Sequence, residues 1–322
     1  MIFHYLKIAF RNLCKHKTQN IISIIGLAVG LLCFCVCIYC SRFVESTDHC
    51  FANHDRIAEL NLYDGKANRY FSGSPVPLAE ELRTWALGET EAISSVTYPR
   101  ERPYYVELSP EKTLPYELET IEIDTCYNKI FTPEMVAGHW KMASQSLNSV
   151  ILSQSMAIKI FGNAESAIGK HMTLMRRLNT SPESTPKTGG IVYTIQAVMK
   201  DIPLNNSLDF MQNIDMLTVN DSEGLLQSPK RHNMTGANTY VLLSPQTTCT
   251  DLEKQFSKRD YTYTLYGEAY TVTASSMGAR LKKQGASYLG LVTGTVGTLI
   301  LLVGLIISLS VLSSIVLKNT VS

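Results

Sequence analysis

Between Lys17 and Arg42 the chain carries no charged residue, and the run Ile21–Tyr39 (IISIIGLAVGLLCFCVCIY) is almost wholly apolar. A helix needs about 20 apolar residues to cross a hydrocarbon core of about 30 Å. The run meets that length. Lys7, Arg11, Lys15 and Lys17 precede it; Arg42, Glu45 and Asp48 follow. It reads as a membrane-spanning helix over residues 18–43. A cleaved signal peptide fits less well, because bulky YCSRFVES follows where a small-x-small cleavage site would stand.

A second uncharged run lies between Lys283 and Lys318, densest over Leu289–Leu317. It predicts a second spanning helix over 284–318, tilted or standing partly above the membrane. The segment between the two runs has ordinary soluble composition and is long enough to bury a core. Positive charge around the first helix favours a cytoplasmic N-terminus, since orientation follows short flanks more than long loops. The middle segment is then outside the cytoplasm, and the tail 319–322 inside.

Ahead of the first run, Ile2, Phe3, Leu6, Phe10 and Leu13 recur at helical spacing, with Lys7, Arg11 and Lys15 opposite. This predicts an amphipathic helix over 1–17 lying on the inner membrane face against the lipid. A cytoplasmic extension of the spanning helix is the alternative. Gly26 and Gly30, and later Gly290 and Gly294, stand four apart. Small residues at that spacing let helix backbones approach closely in lipid, which predicts helix-packing faces.

The net charge of +1 leaves no basic surplus for phosphates, so nucleic acid is not an expected partner. Of eight cysteines, Cys14 and Cys33, Cys35, Cys37 and Cys40 belong to the tail and first helix. Cys50, Cys126 and Cys249 remain for the middle segment, which allows at most one disulfide there.

Within the middle segment, strands are expected at 57–63, 93–98, 104–108, 118–123, 150–152, 171–175, 192–199, 239–243 and 270–274. Helices are expected at 76–87, 153–161 and 250–258, the middle one ended by Gly162; 179–190 reads as a loop. The fold class is a membrane protein with two transmembrane helices flanking an α+β extracytoplasmic domain.

Most candidate chemistry fails on spacing. GNAESAIGKH (162–171) resembles a phosphate loop, but six residues separate its glycines instead of four, and His171 stands at the hydroxyl position. His49, Cys50 and His54 are possible metal ligands by type, yet no further Cys/His pair completes a site. No hydrolase or metalloprotease signature occurs. No catalytic, cofactor-binding or metal-binding residue is expected.

Three stretches together resemble the permease subunits of macrolide-exporter-type ABC transporters, a superfamily that includes the lipoprotein-release and cell-division permeases. In the first, Ala9, Arg11, Asn12, Leu13, Lys15, Lys17, Asn20, Gly26, Leu27, Ala28 and Gly30 fit the family's opening. The second, VESTDHCFANHDRIAEL, is similar in register through Glu45, Asp48, Phe51, Asn53, Asp55, Arg56 and Ile57, with Ala58 where the family has tyrosine. The third matches the periplasmic core domain signature through Leu152, Ala157, Phe161, Gly162, Ile168, Gly169, Lys170, Tyr193, Val198, Asp201, Pro203, Asn206 and Ser207; Ala197 replaces a glycine.

The resemblance implies two lobes in the outer domain: a porter-like lobe from 44–124 and 214–283, and a smaller inserted α/β lobe from 125–213. It implies a permease of the bacterial inner membrane with a periplasmic domain, acting in efflux or extraction by mechanotransmission. ATP would be bound by a partner ABC ATPase subunit, not by this chain. A second permease copy or paralogue and a periplasmic adaptor are the other implied partners. Family members have four or eight spanning helices, so Ser322 falls before the expected third helix. A membrane-anchored binding or sensor domain, and an inactive permease fragment, are the competing readings.

Overall fold

Helix α1 runs from Lys17 to Glu45, 29 residues, or about 43 Å at the α-helical rise. Its window Ala28–Glu45 has a mean hydropathy of 1.8, and Ile21, Ile25, Val29, Leu31, Leu32, Phe34 and Val36 are all exposed. Among the described residues, nothing lies within 4 Å of where a side chain on Gly30 would begin. By length and composition the helix is long and apolar enough to cross a membrane, and apolar surface exposed on this scale marks a contact with a protein or a membrane.

The structure, a computed structural model, describes residues 17–71, 73–85, 88–109, 112–174, 190–209, 213–222, 224–226, 235–265, 267–279 and 281–283, with Thr295, Leu299, Leu302, Val303 and Ile306. The expectations for all of the tail 1–17 except Lys17, for Gly290 and Gly294, for most of 284–318 and for 319–322 lie outside these residues, and so do Lys7, Arg11 and Lys15. So does nearly all of the loop 179–190.

Residues 47–279 form a unit of their own. In chain order it contains β1 (Ile57–Asp64), β2 (Arg69–Tyr70), β3 (Ser74–Pro75), α2 (Leu78–Thr84), β4 (Thr90–Thr97), β5 (Arg100–Ser109) and β6 (Lys112–Ile123). Then come α3 (Tyr127–Phe131), β7 (Met135–Gly138), α4 (Trp140–Gln145), β8 (Ser149–Ser153), α5 (Gln154–Phe161), β9 (His171–Leu174) and β10 (Ile191–Met199). It closes with β11 (Met216–Val219), β12 (Thr235–Leu243), α6 (Cys249–Lys258), β13 (Thr262–Leu265) and β14 (Glu268–Ser276). This is an α+β domain.

The strands make two arrangements. Strands β4, β12, β1, β14 and β13 form an open antiparallel sheet, with β3 added to β12 and β2 to β1. Helices α2 and α6 cover it. Leu78 and Leu82 of α2 and Leu252 and Phe256 of α6 pack with Leu60, Leu62, Val241 and Val272. The other arrangement is a ring: β5 pairs β6, β6 pairs β11, β11 pairs β8, β8 pairs β10, β10 pairs β9, and β9 returns to β5. Closing a ring removes the exposed edges that an open sheet leaves. The ring takes β5, β6 and β11 from outside 125–213. Among the described residues, the strand pairing that joins the two arrangements is Val96 with Ile123.

Alternation along the strands explains how one ring serves two cores. On β8, Val150 and Leu152 point into a cluster with Tyr104, Val106, Leu118 and Tyr193, while Ile151 points to the opposite cluster with Ile121, Val219 and Tyr240. Strand β10 changes phase midway. Tyr193 and Ile195 face the first cluster, but Ala197 faces the second, because a bulge between Ile195 and Ala197 shifts the register.

Several boundaries differ from the sequence reading. The helix expected at 76–87 is confined to Leu78–Thr84, since Ser74 and Pro75 pair with β12 and the Ser74 hydroxyl meets Thr239 Oγ1 at 2.7 Å. Strands β7, β11 and β13 and helices α3 and α4 were not expected. Each is short, and a run of four to six residues carries little periodicity.

Helix α5 matches closely. The Ser153 hydroxyl accepts from Met156 N at 3.4 Å, and Gly162 closes the helix at φ 86, donating its N–H to Ile158 O at 2.9 Å. No atom lies within 4 Å of a Cβ at Gly162, so only backbone strain opposes a side chain there. Gly162→Ala should lower stability by about 1 kcal/mol and Gly162→Asn by less, read from denaturation midpoints of the purified chain.

Candidate functional site

Three distant segments converge on Asp48. The residue is 1% exposed and holds a positive φ of 70, uncommon outside glycine. Ser207 donates its N–H to Asp48 Oδ1 at 2.7 Å and its hydroxyl to the same carboxylate at 2.9 Å. Asp48 N in turn donates to Asn205 O at 3.0 Å. From the exit side, Gly278 comes so close that a Cβ would strike Asp48 Oδ2, while Met277 N donates to Ile57 O at 2.9 Å. The loop that presents Ser207 is itself braced. Buried Asn206 donates to Pro203 O at 2.6 Å and accepts from Leu208 N and Asp209 N, each at 3.0 Å.

The next residues of the entry segment form a second clamp. Arg56 Nη1 donates to Glu91 Oε1 at 2.8 Å and Leu243 O at 3.0 Å, and Nη2 donates to Asn53 Oδ1 at 3.0 Å. Asn53 Nδ2 reaches Ile130 O at 3.3 Å, and Phe51 meets Phe131 edge-on at 5.0 Å. One arginine therefore ties the entry segment to β4 and β12. Asp55 is exposed and pairs only with His54 Nε2 at 3.2 Å among the described residues.

Beside these clamps lies a cleft of ≈ 320 Å³ lined by Cys50, Phe51, Phe131, Lys200, Asp201 and Pro203 among others. Burial, with the Asp48 carboxylate adding to it, pushes the Cys50 thiol up to about 11. It is therefore a thiol at neutral pH, not a nucleophilic thiolate. Tyr127 is fully buried beneath this cleft; its hydroxyl has no hydrogen-bond partner among the described residues and no contact with water. Glu134 and Lys200 pair at 3.1 Å on the rim.

The other expected positions lie elsewhere in the fold. Asp201 Oδ1 accepts from Ser155 N at 2.9 Å, holding the start of α5. Phe161 is partly buried against the ring cluster. Gly169, at φ 78, donates to Ile195 O at 2.8 Å, and Lys170 O accepts from Ile195 N at 2.9 Å. The false phosphate loop is thus the turn that attaches α5 to β10. Gly26 and Lys17 lie in α1. Cys50, Cys126 and Cys249 are free thiols, and among the described residues no group of three or more His, Cys, Asp or Glu side chains could hold a metal ion.

Sequence reasoning missed one further anchor. Asp124 Oδ1 accepts from Ser94 Oγ at 2.7 Å and Cys126 N at 3.0 Å; Oδ2 accepts from Ser95 N at 2.9 Å and from Arg83. The signal was there: an aspartate whose side chain accepts from the backbone two residues on makes an Asx turn, here leading into the short helix that starts at Tyr127.

No protein-family model matches the chain, and neither does any curated protein. Solved structures do. A domain of a protein assigned as a permease from Porphyromonas gingivalis matches at TM-score 0.52 and 21% identity, over 70% of this chain and 93% of that one. The domain has that permease-domain fold. The periplasmic region of MacB from Actinobacillus actinomycetemcomitans aligns at TM-score 0.45 and 12% identity, over 73% of this chain and 94% of that one. The extracellular domain of the noncanonic ABC-type transporter YknZ from Gram-positive bacteria aligns at 0.39 and 13%, over 68% and 99%.

Within the permease-domain fold, the buried Tyr127 hydroxyl is a cost without a return. Tyr127→Phe should raise stability by about 1 kcal/mol, since an unsatisfied buried hydroxyl is penalised. Arg56→Lys should lower it by about 2 kcal/mol, because a lysine cannot span three acceptors in one plane. Thermal melts of the reconstituted variants check both.

Proposed function

We propose that the chain is a permease subunit of an ABC transporter that works by mechanotransmission. ATP binding and hydrolysis by a partner ATPase in the cytoplasm would move paired spanning helices, and these would move the outer domain. Substrate would be extracted or expelled on the outer side of the bacterial inner membrane, and the chain would catalyse nothing itself.

The observation that carries this reading is a permease-domain fold continuing directly from an apolar helix with an uncovered surface. The three sequence stretches that resemble the family support it. Gly26 and Gly30 would pack α1 against another helix, from this chain or from a second permease copy or paralogue. Lys17, with the basic residues before it, would sit at the cytoplasmic face. The open sheet would belong to the porter-like lobe and β8, β9 and β10 to the inserted lobe, with β5, β6 and β11 of the ring supplied by the porter-like segments. A periplasmic adaptor would dock on the outer lobes.

The test is co-purification. The natural gene product containing this sequence, extracted in mild detergent, should bring down an ABC ATPase subunit, and ATP should change the exchange protection of its outer domain. A product that recruits no ATPase and carries a signalling domain instead would replace this reading with the membrane-anchored sensor.

A further inference from the structure

The cleft beside Cys50 has an aromatic floor and a charged rim. Phe51, Tyr127 and Phe131 make the floor: Phe51 meets Phe131 edge-on at 5.0 Å, and Tyr127 stacks on Phe131 at 4.5 Å. All three rings belong to the core, so close packing fixes the surface they offer. Ala52, Pro133, Ile202 and Pro203 add apolar walls. At ≈ 320 Å³ the space stands at the small end of the range for small-molecule sites, about 300–1,000 Å³.

The walls are held by contacts already made. Asn53 Nδ2 ties the entry segment to α3 through Ile130 O at 3.3 Å. The wall Lys200–Pro203 is fixed at both ends: Lys200 N donates to Glu134 O at 2.8 Å, and Pro203 O accepts from Asn206 Nδ2 at 2.6 Å. A ligand entering a pre-formed space need not order it first.

Among the lining residues, the charged ones are Glu134, Lys200 and Asp201. Lys200 Nζ and Glu134 Oε2 are 3.1 Å apart, with side chains 62% and 71% exposed. Asp201 follows Lys200 and is steadied by Ser155 N on its Oδ1. An ion pair this exposed contributes little, so exchanging it for the charges of a ligand costs little.

We propose that the cleft binds a free apolar α-amino acid, its side chain on the aromatic floor, its ammonium toward Glu134 and Asp201 and its carboxylate toward Lys200. Opposite charges lying side by side on the rim match a ligand that carries both on one carbon. In a peptide the two terminal charges are separated by at least one further residue, about 3.8 Å. The floor favours an apolar or aromatic side chain, because a polar one would lose its water there. The site requires no ATPase partner, so it stands apart from the permease reading.

Ligand-observed NMR titration of the purified full chain with L-phenylalanine tests it. Binding should saturate with a dissociation constant of about 1 mM, as expected for a ligand of this size. 3-Phenylpropionate and 2-phenylethylamine keep the ring and lack one charge each; both should bind about fivefold more weakly. Glu134→Gln and Lys200→Gln, at exposed side chains that folding does not need, should each weaken L-phenylalanine about fivefold. Hydrogen exchange with L-phenylalanine present should show added protection in peptides spanning 127–134 and 200–203. Absence of saturation up to about 20 mM overturns the proposal. So do single-charge analogues that bind as tightly as L-phenylalanine, which mark an apolar cleft indifferent to the zwitterion. Binding that neither substitution changes lies elsewhere on the protein and overturns it too.

Discussion

The domain closes where one carboxylate is surrounded. Asp48 belongs to the entry segment, Ser207 to the middle of the chain and Gly278 to the exit turn, and all three touch the same few atoms. A buried carboxylate requires donors to replace the water it has lost. Ser207 supplies both its amide and its hydroxyl, which is why the loop around Asn206 is braced so heavily. The strained backbone at Asp48 is held in place by the same contacts. With entry and exit strands paired as β1 and β14, the two ends of the domain leave side by side.

This arrangement gives the permease reading a mechanical content. Asp48 follows Glu45, the last residue of α1, by only three positions. In the proposed mechanism a shift of that helix would pull on Asp48 and, through Ser207, on the loop after β10. Arg56 would carry the same displacement into the open sheet through Leu243 and Glu91. Sheet and ring pair at Val96–Ile123 and are bound further where Asp124 meets Ser94 and Ser95, so a displacement of the one would be passed to the other.

Much of this was legible in the sequence, and the limits are physical. The apolar run of α1, the capped helix ending at Gly162 and the long strands announced themselves by period, cap and turn chemistry. Asp48 and Ser207 each stood in a recognisable stretch, but nothing local said that they touch, because the contact spans 159 positions. The ring was hidden for the same reason. Its closure rests on β11, four residues with no alternation to detect, which pairs β6 on one side and β8 on the other. Glu122 looked like one more carboxylate on a strand; only the folded chain buries it, against the amides of Leu225 and Leu226.

A double-mutant cycle across the central contact tests the account most directly. Asp48→Asn, Ser207→Ala and the pair, compared by denaturation of the reconstituted chain, measure the energy the two residues share. If Asp48 and Ser207 hold entry and middle together, the coupling should be about 1–2 kcal/mol and favourable. Additive losses, with a coupling within about 0.3 kcal/mol of zero, would show that the domain closes by some other means.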